Sequence, residues 1–284
     1  RKLNASVALH FDNAVINCMG MASEDMWNRP SSAVSRSSDD FVPEVEHGFR
    51  EHAVQNAFNS LLQGQFYWND WDMFWSDHVE SWQNAVLRAV SGGPVYTSDQ
   101  AGRTDPACIW PLIRKDGTVI RCEDSGVPTC DCLFEDPVRK KGILKLFNGY
   151  RDSYVIAAFH IGENRERCGA SLRISDIPGL GGQDWYVCGY RSRALFCLTE
   201  ETEYEFELDQ NDAEFFLLLP AKDVCPAGIL EKFISTGCIT PLYERADRLA
   251  LRVSDAGTFG LFTRESPREI RIDGRAAVWE EREA

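Results

Sequence analysis

From residue 143 onward the chain is a succession of short apolar segments: ILKLFN, SYVIAAFHI, SLRISDI, DWYVCGY, ALFCLT, YEFELD, AEFFLLLPA, LALRVSD, GTFGLFT and REIRIDG. Each is β-branched or aromatic, and Gly, Asn, Asp or Pro separates it from the next. Short strands at this spacing predict an antiparallel β-sandwich. Residues 143–284 are therefore expected to form a C-terminal β-sandwich domain.

The first 100 residues have a different texture. AVINCMGM (14–21) reads as a buried strand and SAVSRSS (32–38) as a second, ending in polar residues. His47 to Leu62 places Phe49, Ala53, Val54, Ala57, Phe58, Leu61 and Leu62 at helical spacing, and Gly64 ends that helix. QFYW is the next short strand. Val79 to Val90 is a helix with Val79, Trp82, Val86, Ala89 and Val90 on one side, and SGGP stops it before the strand PVYTS (94–98). Strand–helix alternation argues for parallel β/α architecture. Four strands are too few to close an eight-stranded barrel. Half a barrel exposes an apolar edge, so a preceding part of the barrel is expected outside this sequence. Residues 100–142 read as a Gly/Pro/Asp-rich connector, so 1–142 forms the first expected domain. The fold class is thus α/β plus all-β.

Charge excludes some partners. The net charge of −14, spread along the chain, offers no basic stripe to a nucleic acid. No run of about 18 apolar residues is present to span a membrane as a helix. The N-terminal RKLNASVALHFDN lacks the apolar centre of a signal peptide. The ten cysteines are scattered, several within strand-like runs, which fits free buried thiols in a reducing, cytoplasmic setting. Cys130 and Cys132 form the one close pair, but C-x-C alone is not a zinc pattern. The five histidines are dispersed. No metal and no cofactor is expected, and a homo-oligomer is compatible with the sequence.

Two constellations carry chemistry. Ser35-Arg36-Ser37-Ser38-Asp39-Asp40 lies at the C-terminal end of a predicted strand, the end that faces the active site in a parallel barrel. Adjacent carboxylates repel, and burial favours protonation of one, as a general acid requires. An arginine nearby can bind hydroxyls or steady a carboxylate. Local sequence alone favours the plainer reading, acidic residues at a helix start. The second constellation, Trp68-Asn69-Asp70-Trp71-Asp72-Met73-Phe74-Trp75, interleaves aromatic platforms with carboxylates and an amide. Sugars match that mixture, with apolar C–H faces and rings of hydroxyls. Packing alone accounts for some of the tryptophans, yet so many interleaved polar groups are costly to bury without a polar ligand. Ser98 and Asp99, at the end of the last strand, are a weaker signal of the same kind.

The runs SRSSDDF, NSLLQGQFYWNDWDMF, AVSGGPVYTSD, CLFEDP and ILKLFN, in this order, resemble glycoside hydrolase family 36. The nearest branch holds raffinose synthase, stachyose synthase and alkaline α-galactosidase (the seed imbibition proteins). The resemblance covers about residues 14–150 and implies the C-terminal half of a (β/α)8 TIM barrel followed by an antiparallel β-sandwich. It implies Asp39 as the acid/base, with Asp40 the competing choice, and Arg36 as a sugar ligand. It implies Asp72 and Met73 in the sugar pocket, Trp68 and Asp70 around it, and Cys18 as a small pocket residue after strand five. The family's nucleophilic aspartate follows strand four in a K-x-D motif. No such motif precedes AVINCMGM, so the nucleophile is expected on an upstream segment.

The expected function is retaining hydrolysis of α-galactosides of the raffinose type by double displacement, with an oligosaccharide as substrate. This stretch on its own is expected to be inactive. The alternatives are a galactosyltransferase of raffinose-synthase type and a non-catalytic carbohydrate-binding protein.

Overall fold

The computed structural model describes residues 2–20, 22–29, 32–163, 166–245 and 248–282. The first part alternates α1 (Lys2–Phe11), β1 (Ile16–Asn17), α2 (Ser23–Met26), β2 (Val34–Arg36), α3 (Gly48–Gln63), β3 (Trp68–Asp70) and α4 (Ser81–Ser91). The three strands form one parallel sheet in the order β1-β2-β3. Val34 pairs with both Ile16 and Trp68, and Arg36 pairs with Asp70. One further parallel bridge joins Phe74 to Thr97. This is a partial, barrel-like β/α sheet. The described residues do not close a barrel.

The strands are shorter than their apolar runs suggest. Asp12, Asn13 and Met19 adopt positive φ and bend the chain on both sides of β1. The expected strand over 14–21 shrinks to two residues, and its last residue, Met21, lies outside the described residues. QFYW is not a strand, because Phe66 and Tyr67 still donate to the Gln63 carbonyl at the end of α3. The strand begins only at Trp68. PVYTS contributes the single bridge at Thr97.

Helix α3 buries Phe49, Ala53 and Ala57 as its spacing predicts, whereas Leu61 and Leu62 are exposed. The polar residues His52, Asn56, Ser60 and Gln63 are buried in their place. They face the polar ends of β2 and β3. Helix α4 is buried on every side from Gln83 to Ser91. It ends at Gly92, with φ 71°, where a Cβ would lie 1.8 Å from the Asp124 carbonyl oxygen. At Gly93 a Cβ would lie 2.0 Å from the Asn69 carbonyl oxygen. The SGG sequence therefore permits a close backbone passage beside β3.

A six-stranded antiparallel sheet packs against α4. It contains β4 (Val127–Pro128), β5 (Ile143–Tyr150), β6 (Ser153–His160), β8 (Trp185–Gly189), β9 (Leu195–Leu198) and β11 (Ala213–Pro220), in the order β4-β5-β6-β11-β8-β9. The separate pair β7 (Arg167–Leu172) and β10 (Tyr204–Asp209) covers its other face. Alternation along β11 makes the two layers explicit. Phe215 and Leu217 join the core shared with α4, while Phe216 and Leu218 join the core under β7 and β10. Burial on both faces explains why AEFFLLLP is continuously apolar rather than alternating. The helix is tied on by Trp82 Nε1, which donates to the Ala213 carbonyl at 2.8 Å. Gln83 Nε2 donates to the carbonyls of His160 and Asp212, each at 3.1 Å.

The remaining strands are β12 (Val224–Ile229) paired with β15 (Phe259–Thr263), β13 (Ile239–Arg245) with β14 (Arg248–Val253), and the short β16 (Arg271–Ile272) with β17 (Arg275–Ala276). β12 and β13 do not stand out as strands in the sequence. Both contain proline, and each is broken by a register shift, at Pro226/Gly228 and Pro241/Tyr243. None of the ten cysteines forms a disulfide, and seven are buried.

Glu80, at the start of α4, is buried, and its Oε2 has no hydrogen-bond partner. Burial pushes its pKa up to about 7, against the opposing pull of the Phe49 backbone N–H. A carboxyl whose pKa is raised on folding favours the folded state fully below its unfolded pKa. That contribution is lost as pH rises through the folded value. The melting temperature of the wild type should therefore fall relative to Glu80→Gln between about pH 4.5 and pH 7. Parallel melting curves for the two proteins across that window would contradict this assignment.

Candidate functional site

The in-register pairing of β2 and β3 sets Arg36 and Asp70 side by side at the C-terminal edge of the parallel sheet. Arg36 is only 9% exposed, and four side chains surround its guanidinium. Nε donates to Asp70 at 2.9 Å and Nη1 to Asp40 at 3.1 Å. Nη2 lies 2.7 Å from Asp72 Oδ1 and donates to the Tyr96 hydroxyl at 3.3 Å. Tyr96 in turn donates to Asp70 at 3.0 Å. Burial pulls the Arg36 pKa down, but the hydrogen bond and charge of Asp70, with the charge of Asp72, outweigh it and raise it above the ordinary value. Burial and the neighbouring Asp70 charge raise the Tyr96 pKa, which keeps its proton in place.

Asp72 shapes the loop that follows β3. Its φ of 62° is left-handed, a costly geometry for a residue with a Cβ. Its own carboxylate holds that turn, accepting the Met73 N–H at 2.7 Å and the Phe41 N–H at 2.8 Å. Asp70 accepts the Asp72 N–H at 3.1 Å. The loop after β2 and the loop after β3 are thereby tied together through carboxylates. From below, Arg88 of α4 donates to the Asp72 carbonyl at 3.0 Å and to the Met73 carbonyl at 2.8 Å. Arg88 is almost fully buried, and burial lowers its pKa to about 10 despite the nearby Asp72 and Asp70. It still carries its charge at neutral pH.

The two adjacent acids part company. Asp40 points to Arg36, with its side chain 82% exposed. Asp39 turns to α3, where its N–H donates to Gln55 Oε1 at 2.8 Å and its Oδ2 accepts from Gln55 Nε2 at 3.4 Å. The Arg36 cluster therefore gathers Asp40, Asp70 and Asp72, with Met73 joined through its N–H, and does not include Asp39. Cys18 follows β1 one residue beyond the Asn17–Ser35 pair, so it sits at the level of Arg36 and is exposed.

The tryptophans of the second constellation have separate fates. Trp71 is fully buried and donates to Ser60 at 3.3 Å. Trp68 opens β3, two residues below Asp70, and lies under the Arg121 guanidinium at 4.7 Å. It is not part of the cluster. Trp75 lies half-buried beside Ser98. Asp99 accepts the N–H and the hydroxyl of Ser76, at 2.7 and 2.8 Å. Burial opposes its ionisation, but these bonds prevail and hold its pKa below the ordinary value.

Arg88, Tyr96 and His52 are absent from the sequence-derived site. A lone arginine within the apolar helix QNAVLRAV was the available signal for Arg88, since a buried charge demands nearby partners. His52 lies between the Ser38 hydroxyl, at 3.2 Å, and the Trp71 carbonyl, at 2.9 Å. Burial, with the charge of Arg88, holds its pKa well below the usual imidazole range.

Residues 1–172 match the family model described as raffinose synthase or seed imbibition protein Sip1, and the chain belongs to that family. It is 31% identical to a galactinol–sucrose galactosyltransferase of Oryza sativa subsp. japonica, a match that covers 97% of this chain and 41% of the relative. It is 30% identical to a stachyose synthase of Pisum sativum over 78% of this chain and 30% of the relative. The chain thus spans less than half the length of either. In fold it is similar to a family 27 β-L-arabinopyranosidase of Geobacillus stearothermophilus. That match has a TM-score of 0.50 at 15% identity and covers 68% of this chain and 46% of that one. The likeness supports a partial β/α barrel with an attached antiparallel sandwich.

Removing one member of a buried ion pair leaves its partner uncompensated, at about 3–5 kcal/mol. Asp70 is fully buried against Arg36. Asp70→Ala should destabilise the fold by that order, read from denaturant unfolding. A loss below about 1 kcal/mol would fall in the range of exposed pairs and contradict the buried cluster.

Proposed function

We propose that the protein transfers α-galactosyl groups between sugars, as the names of its galactinol–sucrose galactosyltransferase and stachyose synthase relatives suggest. The observation that carries this reading is the buried Arg36, which draws Asp40, Asp70 and Asp72 together at the C-terminal edge of a parallel sheet. Hydrolysis, the expectation from sequence, is the weaker reading, because both of those relatives carry transferase or synthase names. Water is then the competing acceptor.

The reaction is a double displacement. A carboxylate attacks the anomeric carbon and forms an ester bond as the glycosidic C–O bond breaks. A second carboxyl gives its proton to the departing oxygen. The acceptor hydroxyl then loses its proton to that same carboxylate and attacks the anomeric carbon, breaking the ester. Asp70 and Asp72 are committed to Arg36, Tyr96 and backbone N–H groups, so we assign them to building the pocket. In this reading the attacking carboxylate comes from a segment outside this sequence. The acid/base is one of the Asp39–Asp40 pair. The contact with Arg36 and the exposed carboxyl support Asp40, while Asp39 is held toward Gln55. Met73 and Cys18 remain proposed pocket residues, and Trp68 is assigned to support below them. Ten free thiols, seven of them buried, support a reducing, cytoplasmic setting.

The test is galactosyl transfer to sucrose by the full-length protein. Asp40→Asn should lower the rate by about 10²–10⁴-fold, the usual contribution of a general acid–base group. Asp39→Asn should stay within a few-fold of wild type. The reverse pattern returns the role to Asp39, and full activity in both variants removes the reading.

A further inference from the structure

We infer that Trp75 forms the floor of a subsite for the acceptor sugar, outward from the galactosyl pocket. This rests on the transfer reading above. The residues lie in a hydrogen-bonded series running from the cluster outward. Asp72 accepts the Met73 N–H at 2.7 Å. Met73 Sδ accepts from the Ser98 hydroxyl at 2.9 Å, and Ser98 Oγ accepts from Trp75 Nε1 at 3.0 Å. The Phe74–Thr97 bridge fixes this pairing, because it sets Trp75 and Ser98 one residue beyond the last parallel contact. Ser98 also stands two residues beyond Tyr96, whose hydroxyl bonds both Arg36 and Asp70.

Trp75 is built unlike its neighbours. Trp71 is wholly buried; Trp68 and Trp75 are both half-buried, but the Arg121 guanidinium lies over the Trp68 ring, whereas Trp75 sits beside the exposed Ser98. The one polar atom of the indole is already satisfied by Ser98. The rest of the indole is apolar and the residue is partly exposed, a combination that suits the C–H face of a sugar. Polar groups lie on the adjoining chain. His78 stands edge-on to the ring at 6.1 Å, and Asp77 is paired with Arg103 at 2.9 Å. A carboxylate, a guanidinium and an imidazole can all meet hydroxyl groups. A galactosyltransferase needs such a surface. Water reaches the anomeric carbon unaided, whereas a sugar acceptor must be held there long enough to compete.

The experiment uses the full-length protein with an aryl α-galactoside as donor and sucrose as acceptor. It measures galactose transferred to sucrose against galactose released to water. Trp75→Ala should lower that ratio by about tenfold, the loss of one aromatic platform. Trp75→Phe, which keeps the ring face and loses the N–H, should retain most of it. A transferring wild type whose ratio is unmoved within about twofold by Trp75→Ala overturns the subsite and leaves the transfer reading standing. If the wild type moves no galactose at all, the transfer reading fails. The subsite is then judged by sucrose binding to the full-length protein. Sucrose must shift the indole N–H resonance that disappears in Trp75→Phe, and an unshifted resonance overturns the subsite.

Discussion

The structure turns on the charge of Arg36 held inside it. A guanidinium removed from water is costly unless carboxylates and hydrogen bonds compensate it. Here the compensation comes from Asp70 at the end of β3, Asp72 in the following loop, Tyr96 near the Thr97 bridge and the exposed Asp40. Three chain segments must therefore converge before the charge is tolerable. Local strain follows from the same requirement. Asp72 takes a left-handed φ in a turn where its carboxylate serves Arg36, Phe41 and Met73 together.

The antiparallel sheet acts on this cluster from behind. Its inner face, with Phe159 and Phe215, packs with α4, and Trp82 and Gln83 pin the start of that helix to strand-end carbonyls. The helix in turn aims Arg88 at the carbonyls of Asp72 and Met73. A second buried cation beneath the loop balances the two buried carboxylates that Arg36 alone cannot neutralise. The β-rich half is thus mechanically continuous with the Arg36 cluster. Its packing fixes a turn about one helix diameter away.

Much of this architecture was legible in the residues. The change of texture near 143 and the two helices, expected over 47–62 and 79–90 and found over 48–63 and 81–91, follow from spacing, whereas placing Arg36, Asp70 and Asp72 at one site comes from the family resemblance. Other features depend on tertiary context. β12 and β13 were hidden because Pro226, Gly228 and Pro241 read as breakers, whereas the structure uses them at register shifts. Leu61 and Leu62 look like core yet are exposed, since α3 turns its polar stripe inward to meet Ser37, Asn69 and Trp71. Asp39 and Asp40 differ by one position, and only the direction of the chain after β2 decides which of them meets Arg36. Three tryptophans within eight residues carry no local label for core, support or open surface.

A crystal structure of the full-length protein with an α-galactoside bound tests the central claim most directly. The account predicts a galactosyl ring at the C-terminal edge of β2 and β3, within about 3 Å of the Asp40 carboxyl, with Arg36 still seated between Asp70 and Asp72. A ring bound elsewhere, or an Arg36 side chain turned out to solvent with its two carboxylates apart, would contradict it.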